Sequence, residues 1–320
     1  MFERRFQWTI VFELNNEQSR IPKARRHSLI EKVVFEGLPN CYRLFNELIE
    51  LVVTTDIGPR IIRFGFIGQE NEFVALTSRG FIGHRLWHAP EARPRSRIPD
   101  KDPIIFEQHS DFIRLTQPTE MATGIQKEID LPLALDKNHV AVVHRLYNRN
   151  LWPVELAPWA ISVMAPGGKA IIPLPLRRPP SDNNLLPTSQ MAIWEYSDLS
   201  DNRLQIGREN IILRQDSNST GPLKIGVMAT DGWVAYYNKG HLFVKTFAHK
   251  SGALYPDLGS SVEVSTGKDV LELETLAPLK LLQPGDSVEH IEKWFLFRNV
   301  SEPFINSDIN QHILNLVACN

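Results

Sequence analysis

Leu242-Phe243-Val244-Lys245-Thr246-Phe247 changes character at every step, with Leu242, Val244 and Thr246 on one parity and Phe243, Lys245 and Phe247 on the other. Side chains of a β-strand alternate between the two faces of a sheet, so a period of two predicts a strand with two distinct environments. The same alternation sets Ile62, Phe64 and Phe66 against Arg63 and Gly65, and Val140, Val142 and His144 against Ala141, Val143 and Arg145. From Val33 onward the chain consists of such runs, separated by Gly, Pro, Asn and Asp, with little helical periodicity. The reading is an all-β protein. Its 22 prolines fall mostly between the runs, as at Pro90, Pro94, Pro99 and Pro103, where they mark loops and strand edges.

A chain of 320 residues with 42% hydrophobic and 22% charged content can bury a large core without disulfides or metals. The 35 Lys+Arg against 37 Asp+Glu leave a net charge of -2, which gives no field for gathering phosphate backbones or anionic lipid, so no nucleic-acid partner is expected. Cys41 and Cys319 lie far apart and match no disulfide framework or zinc spacing. The longest charge-free stretch, Leu156 to Gly168, is interrupted by Pro158 and Pro166 and falls short of the roughly 20 apolar residues of a membrane span. Phe2-Glu3-Arg4-Arg5-Phe6 makes a poor secretory leader, so a cytoplasmic location is expected.

Residues 1–32 read as a basic extension, in which Lys23-Ala-Arg-Arg-His27 is either a docking arm or a solvated segment. One β domain is expected over 33–300. Residues 301–320 form a tail, with Ser307-Asp308 able to cap a short helix that places Ile309, Ile313, Leu316 and Val317 on one face. Two stretches, Arg93 to Pro103 and Arg177 to Thr188, break the strand rhythm and read as functional rims. Composition does not set the oligomeric state.

In Val270-Leu-Glu-Leu-Glu-Thr-Leu276, Leu271 and Leu273 point one way and Glu272 and Glu274 the other, the two carboxylates ~7 Å apart by strand rise. Their face is either solvent or a concave surface on which a carboxylate acts as a general base. Gly83-His84-Arg85-Leu86-Trp87-His88-Ala89-Pro90-Glu91 concentrates two imidazoles, a guanidinium and an indole. Histidine suits proton transfer, tryptophan stacks on sugar CH faces and arginine donates to hydroxyls or carboxylates. The group is either a polyol site or a structural cluster. Its HxxxH spacing lacks the zincin Glu, having Arg85 instead, and no metal is expected.

Glu155 lies between Trp152 and Trp159, an arrangement suited to a carbohydrate or to a core indole pair with a backbone-bonded acid. Lys127 and Lys245 lie within strand-like runs, facing water or a ligand, and Tyr255-Pro-Asp257 occupies a turn. The chain holds no GxSxG elbow, no GxxxxGK[ST] loop, no GxGxxG after a strand and no EF-hand loop, so nucleotide-driven chemistry has no support.

Thr54-Thr-Asp-Ile-Gly-Pro-Arg60, Gly83 to Glu91, Pro153-Val-Glu-Leu-Ala-Pro-Trp159, Leu185-Leu-Pro-Thr188, Gly240-His-Leu-Phe-Val-Lys245, Tyr255-Pro-Asp257 and Glu272-Leu-Glu-Thr275 together resemble a bacterial branch of the galactose mutarotase-like superfamily, the relatives of aldose 1-epimerases. The resemblance covers about residues 33 to 298 and implies a β-supersandwich of two large antiparallel sheets with a sugar on an open concave face. It implies an epimerase that needs no cofactor, in which a Glu removes the anomeric proton and a His protonates the ring oxygen. Glu274 is similar in position to that Glu, His84 or His88 to the first His, and Arg60 to a site-lining Arg, with Glu272 beside Glu274. Arg85, Trp87, Lys127, Glu155, Trp159, Lys245 and Tyr255 complete the expected substrate-binding set. Where mutarotases carry a second His, this chain has Ala157-Pro-Trp159-Ala-Ile161, which leaves a sugar-binding or sensor module as the alternative. A saccharide lyase or hydrolase using Tyr255, Arg85 and Glu155 is a third reading.

Overall fold

The computed structural model describes residues 29–77, 80–81, 83–98, 100–133, 137–175, 177–181, 185–305 and 309–319. Nearly all of its regular structure is antiparallel β, in an 11-stranded sheet and a 10-stranded sheet. Across the middle of the larger sheet run the strands Arg60–Phe66, His84–Ala89, Val154–Met164, Leu271–Leu276, Val262–Thr266 and Leu223–Val227, each paired with the next. The centre of the smaller sheet is Trp233–Asn238, His241–Phe247, Ser287–Phe297, His139–Asn148 and Ile125–Pro132. Where Asn238 pairs with His241, Lys239 and Gly240 both take positive φ, +47° and +83°, the geometry of a two-residue hairpin turn whose twist matches its strands.

The period of two sorts these strands as their sequences predict. Val140, Val142 and Leu146 face the other sheet, as do Phe243 and Phe247, while Leu242 and Val244 turn outward. Phe64 of the larger sheet meets Phe243 and Trp294 of the smaller one with ring centroids 5.6 Å apart in both pairs. Ile62 departs from the pattern. Val53 pairs with Ile61 and Val52 with Arg63, so one strand advances two residues while its neighbour advances one, a β-bulge in which Ile62 is the extra residue. Ile62 consequently packs with Cys41 and Val52 on the outer face, while Ile61, Phe64 and Phe66 enter the core between the sheets.

The first strand, Leu29–Phe35, begins inside the segment read as an extension and pairs with Leu38–Phe45. The basic stretch ahead of it lies outside the described residues, as does the Ser307-Asp308 cap. Helix Ile309–Ala318 does form, and it lays Ile309 and Ile313, flanked by Leu316 and Val317, on the outward residues Trp233, Leu242, Val244 and Phe295 of the smaller sheet. Among the described residues no helix is long and apolar enough to cross a membrane. Cys41 and Cys319 are free.

Candidate functional site

Strand register builds a site on the outer face of the larger sheet. Arg60 pairs with Arg85, Arg85 with Ile161, Ile161 with Glu274, and Glu274 with Glu263, so these five residues form one row across five strands. In the adjacent rows Trp87 pairs with Trp159, and Val163 with Glu272, Ser265 and Lys224 in succession. A cleft of about 960 Å³ opens on this face, lined by Arg60, Arg85, Trp87 and Glu272, by Arg97, Ile98, Asp100 and Lys101, and by the turns at 219–222 and 267–270. Of the Arg93 to Pro103 segment, Arg97, Ile98, Asp100 and Lys101 border this cleft, and no described residue of the Arg177 to Thr188 segment does.

Guanidinium groups dominate the cleft. Arg60 pairs with Asp100, and Arg97 Nε donates to Glu91 at 2.6 Å. The Arg85 guanidinium carbon lies 4.2 Å from the centre of the Trp87 ring, a cation–π contact, and that ring meets Trp159 edge to face with centroids 5.5 Å apart. Arg85 reaches Glu272 only at 3.5 Å. Arg85 Nε and Trp87 Nε1 are buried donors with no acceptor among the described residues. Burial, reinforced by the neighbouring Glu274 charge, pushes the Glu272 carboxyl up from the usual carboxylate range.

Glu274 shares this face but is sealed beneath it, at 1% exposure. Trp159 Nε1 donates to its Oε2 at 2.6 Å and Lys224 Nζ at 3.1 Å, and Lys224 Nζ also lies 2.7 Å from Glu263. The ammonium sits between two indoles, 4.8 Å from the Trp159 ring centre and 4.7 Å from that of Trp194. Burial would lower the Lys224 pKa, but the two glutamates outweigh it and raise it, while burial pushes Glu263 well up. Gly226, opposite Glu263, leaves room for the Ser260 hydroxyl, which would be 2.2 Å from a Cβ there. Lys224, Glu263 and Trp194 were absent from the expected set. The one local signal was Leu223-Lys-Ile-Gly-Val227, where Lys224 interrupts an apolar strand.

The imidazoles lie on the other side of the sheet. His84, Leu86 and His88 share one parity and Arg85 and Trp87 the other, so the pleat that puts Arg85 in the cleft sends both histidines into the space between the sheets. The expectation that His84 or His88 shares a cleft with Glu274 is corrected by this geometry. Lys245 and Lys127 are likewise removed from the cleft, since both point inward from the smaller sheet and are fully buried.

Each inward group is consumed by an internal network. His84 Nε2 and His144 Nε2 are 2.8 Å apart, with His84 Nδ1 at 2.8 Å from Ser162 Oγ and His144 Nδ1 at 2.9 Å from the His290 carbonyl. His144 must donate to that carbonyl, so it accepts from His84, which in turn accepts from Ser162. Glu292 accepts from Trp294 Nε1 at 2.7 Å, from Thr275 and from Lys245 at 3.0 Å. Burial holds His84, His144 and Lys245 below their ordinary pKa values and brings His290 down to about 3. His84, His144 and Glu292 offer metal-ligand atoms within 4.8 Å of one another, but Lys245 already neutralises the carboxylate and the imidazoles bond each other, so the network closes on itself. Nearby, Glu120 takes Lys127 at 2.6 Å and His88 at 3.2 Å. Burial opposes its charge, but His88 and Lys127 prevail and hold the Glu120 carboxyl at about 2.

Glu155 is exposed at the end of its strand, opposite Leu281, and Trp152 is 61% exposed, so neither encloses a ligand with Trp159. Tyr255 is buried in a loop, stacked on His249, with its hydroxyl accepting from Lys250 N at 2.9 Å. Neither Glu155 nor Tyr255 lines the cleft. Of the expected set, the outer face brings together Arg60, Arg85, Trp87, Glu272, Trp159 and Glu274.

No family model and no curated protein matches the sequence. Among solved structures, a candidate aldose 1-epimerase from Klebsiella pneumoniae is similar with a TM-score of 0.55 and 13% identity, over 84% of this chain and 83% of that one. A galactose mutarotase-like protein from Lactobacillus casei is similar with a TM-score of 0.52 and 7% identity, over 81% of this chain and all of that one (100%). A TPR-domain containing protein from Parabacteroides distasonis is similar with a TM-score of 0.52 and 12% identity over 83% of this chain, which spans about half (48%) of that protein's length. The two opposed antiparallel sheets and these likenesses define the class: the chain has the galactose mutarotase-like β-supersandwich fold.

Proposed function

We propose that the protein binds a saccharide in the cleft over Arg60, Arg85, Trp87 and Glu272. The observation that carries this reading is the pairing of unsatisfied donors with an available acceptor. Arg85 Nε and Trp87 Nε1 lack acceptors, and Glu272 holds only a 3.5 Å contact, all within one cleft of pyranose-compatible size. A ring of hydroxyls supplies both acceptors and donors to such a surface. The fold of mutarotase-like proteins supports the same reading.

Ring opening by Glu274 with a histidine as acid has no support in the geometry, because the acid and base would lie on opposite faces of one sheet. A binding module is favoured over that epimerase, and over a lyase using Tyr255 and Glu155, which lie outside the cleft. Titration calorimetry with common aldoses and their disaccharides tests the proposal. Saturable binding that weakens about tenfold or more in Trp87→Ala is expected, and polarimetry is expected to show mutarotation at the buffer rate. No binding to any saccharide defeats the proposal, and mutarotation lost on Glu274→Gln restores the epimerase.

A further inference from the structure

Arginine presents two parallel donors, Nε and Nη2, along one edge of its guanidinium, and a carboxylate fits that edge with two hydrogen bonds. The protein contains a filled example: Arg114 Nε and Nη2 hold Asp130 Oδ1 and Oδ2 at 2.8 Å each. Arg85 presents the same edge differently. Its Nε has no acceptor among the described residues and its Nη2 has only Glu272 at 3.5 Å, although the side chain is largely buried and stacked on Trp87. The other two cleft arginines have close acidic partners in Asp100 and Glu91. Lys101 and Lys268 stand at the rim and add positive charge over the opening.

We infer that the saccharide of this cleft carries a carboxylate, as in a uronic acid, which seats on the Nε–Nη2 edge of Arg85 while the pyranose lies along Trp87. The inference rests on the saccharide reading above and names its substrate class. Stacking on Trp87 fixes the plane of the guanidinium before the ligand arrives, so little side-chain freedom is lost on binding. Glu272 lies beside the incoming carboxylate, and the burial that favours its protonated form reduces their repulsion.

The test compares glucuronate and galacturonate with glucose and galactose by calorimetry at neutral pH, with glucose 6-phosphate and inorganic phosphate as further ligands. Uronates are expected to bind at least about tenfold more tightly than their neutral parents. Arg85→Gln should abolish that preference by weakening uronate binding at least about tenfold more than it weakens neutral-sugar binding, and Arg85→Lys should also lose most of it, because an ammonium keeps the charge but not the fork. Circular dichroism and thermal melting establish that both variants are folded. Equal affinity for uronate and neutral sugar overturns the inference and leaves saccharide binding standing. Tighter binding of glucose 6-phosphate or free phosphate than of uronate also overturns it. Failure of every saccharide, charged or neutral, removes the reading on which it rests.

Discussion

Acidification should destabilise the protein through its interior histidines, and His290 gives the effect a size. Its Nε2 donates to Thr275 at 2.7 Å, Thr275 donates to Glu292, and burial holds the imidazole at about 3 instead of 6.5. Below pH 6.5 the unfolded chain binds a proton at this site that the folded protein refuses, so stability falls with pH by about 1.4 kcal/mol per unit until the folded value is reached. By pH 5 the loss from His290 alone is about 2 kcal/mol, a substantial share of a typical 5–15 kcal/mol. His84, held well below its ordinary value by burial, acts in the same direction. Glu263 and Glu272, whose carboxyls are pushed up, act the opposite way, so a variant must isolate the histidine. Gln at 290 can keep the donor without the titration. Urea denaturation of the protein and of His290→Gln at pH 7.5 and pH 5 should show the gap between them closing by about 2 kcal/mol in favour of the variant. An unchanged gap would refute the assignment of a buried neutral imidazole.

Two further substitutions probe the sealed part of the outer face. Lys224→Met leaves Glu263 and Glu274 facing each other without their cation and should cost about 3–5 kcal/mol in urea denaturation, with much of it recovered when Glu263 is also changed to Gln. Gly226→Ala drives a methyl to within 2.2 Å of Ser260 Oγ, which should cost about 1–3 kcal/mol in thermal denaturation, and the added change Ser260→Ala should recover part of that loss.

Alternation in Val140–Arg145 and Leu242–Phe247 correctly separated inward from outward residues, and the separation of Leu271 and Leu273 from Glu272 and Glu274 also holds. Ile62 went astray because a bulge depends on the neighbouring strand, which a single strand's sequence does not carry. The same counting rule distinguishes His84 and His88 from Arg85 and Trp87, but it cannot say which parity faces the second sheet. Grouping all four by proximity in sequence therefore joined residues that the pleat divides. The partners of the buried charges were hidden for another reason. Glu120, His144 and Glu292 reach His88, His84 and Lys245 only through sheet packing and pairings between strands far apart in the chain, so nothing local marks them.

The edge-to-face contact of Trp87 and Trp159 supplies the cleft with its own optical reporter. Two indoles this close couple their electronic transitions, and each has a charged neighbour, a guanidinium for one and a carboxylate for the other. A guest whose charge comes to rest beside Arg85 would change the electric field at the first indole without moving either ring. Occupancy can therefore be followed by near-ultraviolet circular dichroism and indole emission with unlabelled, colourless ligands.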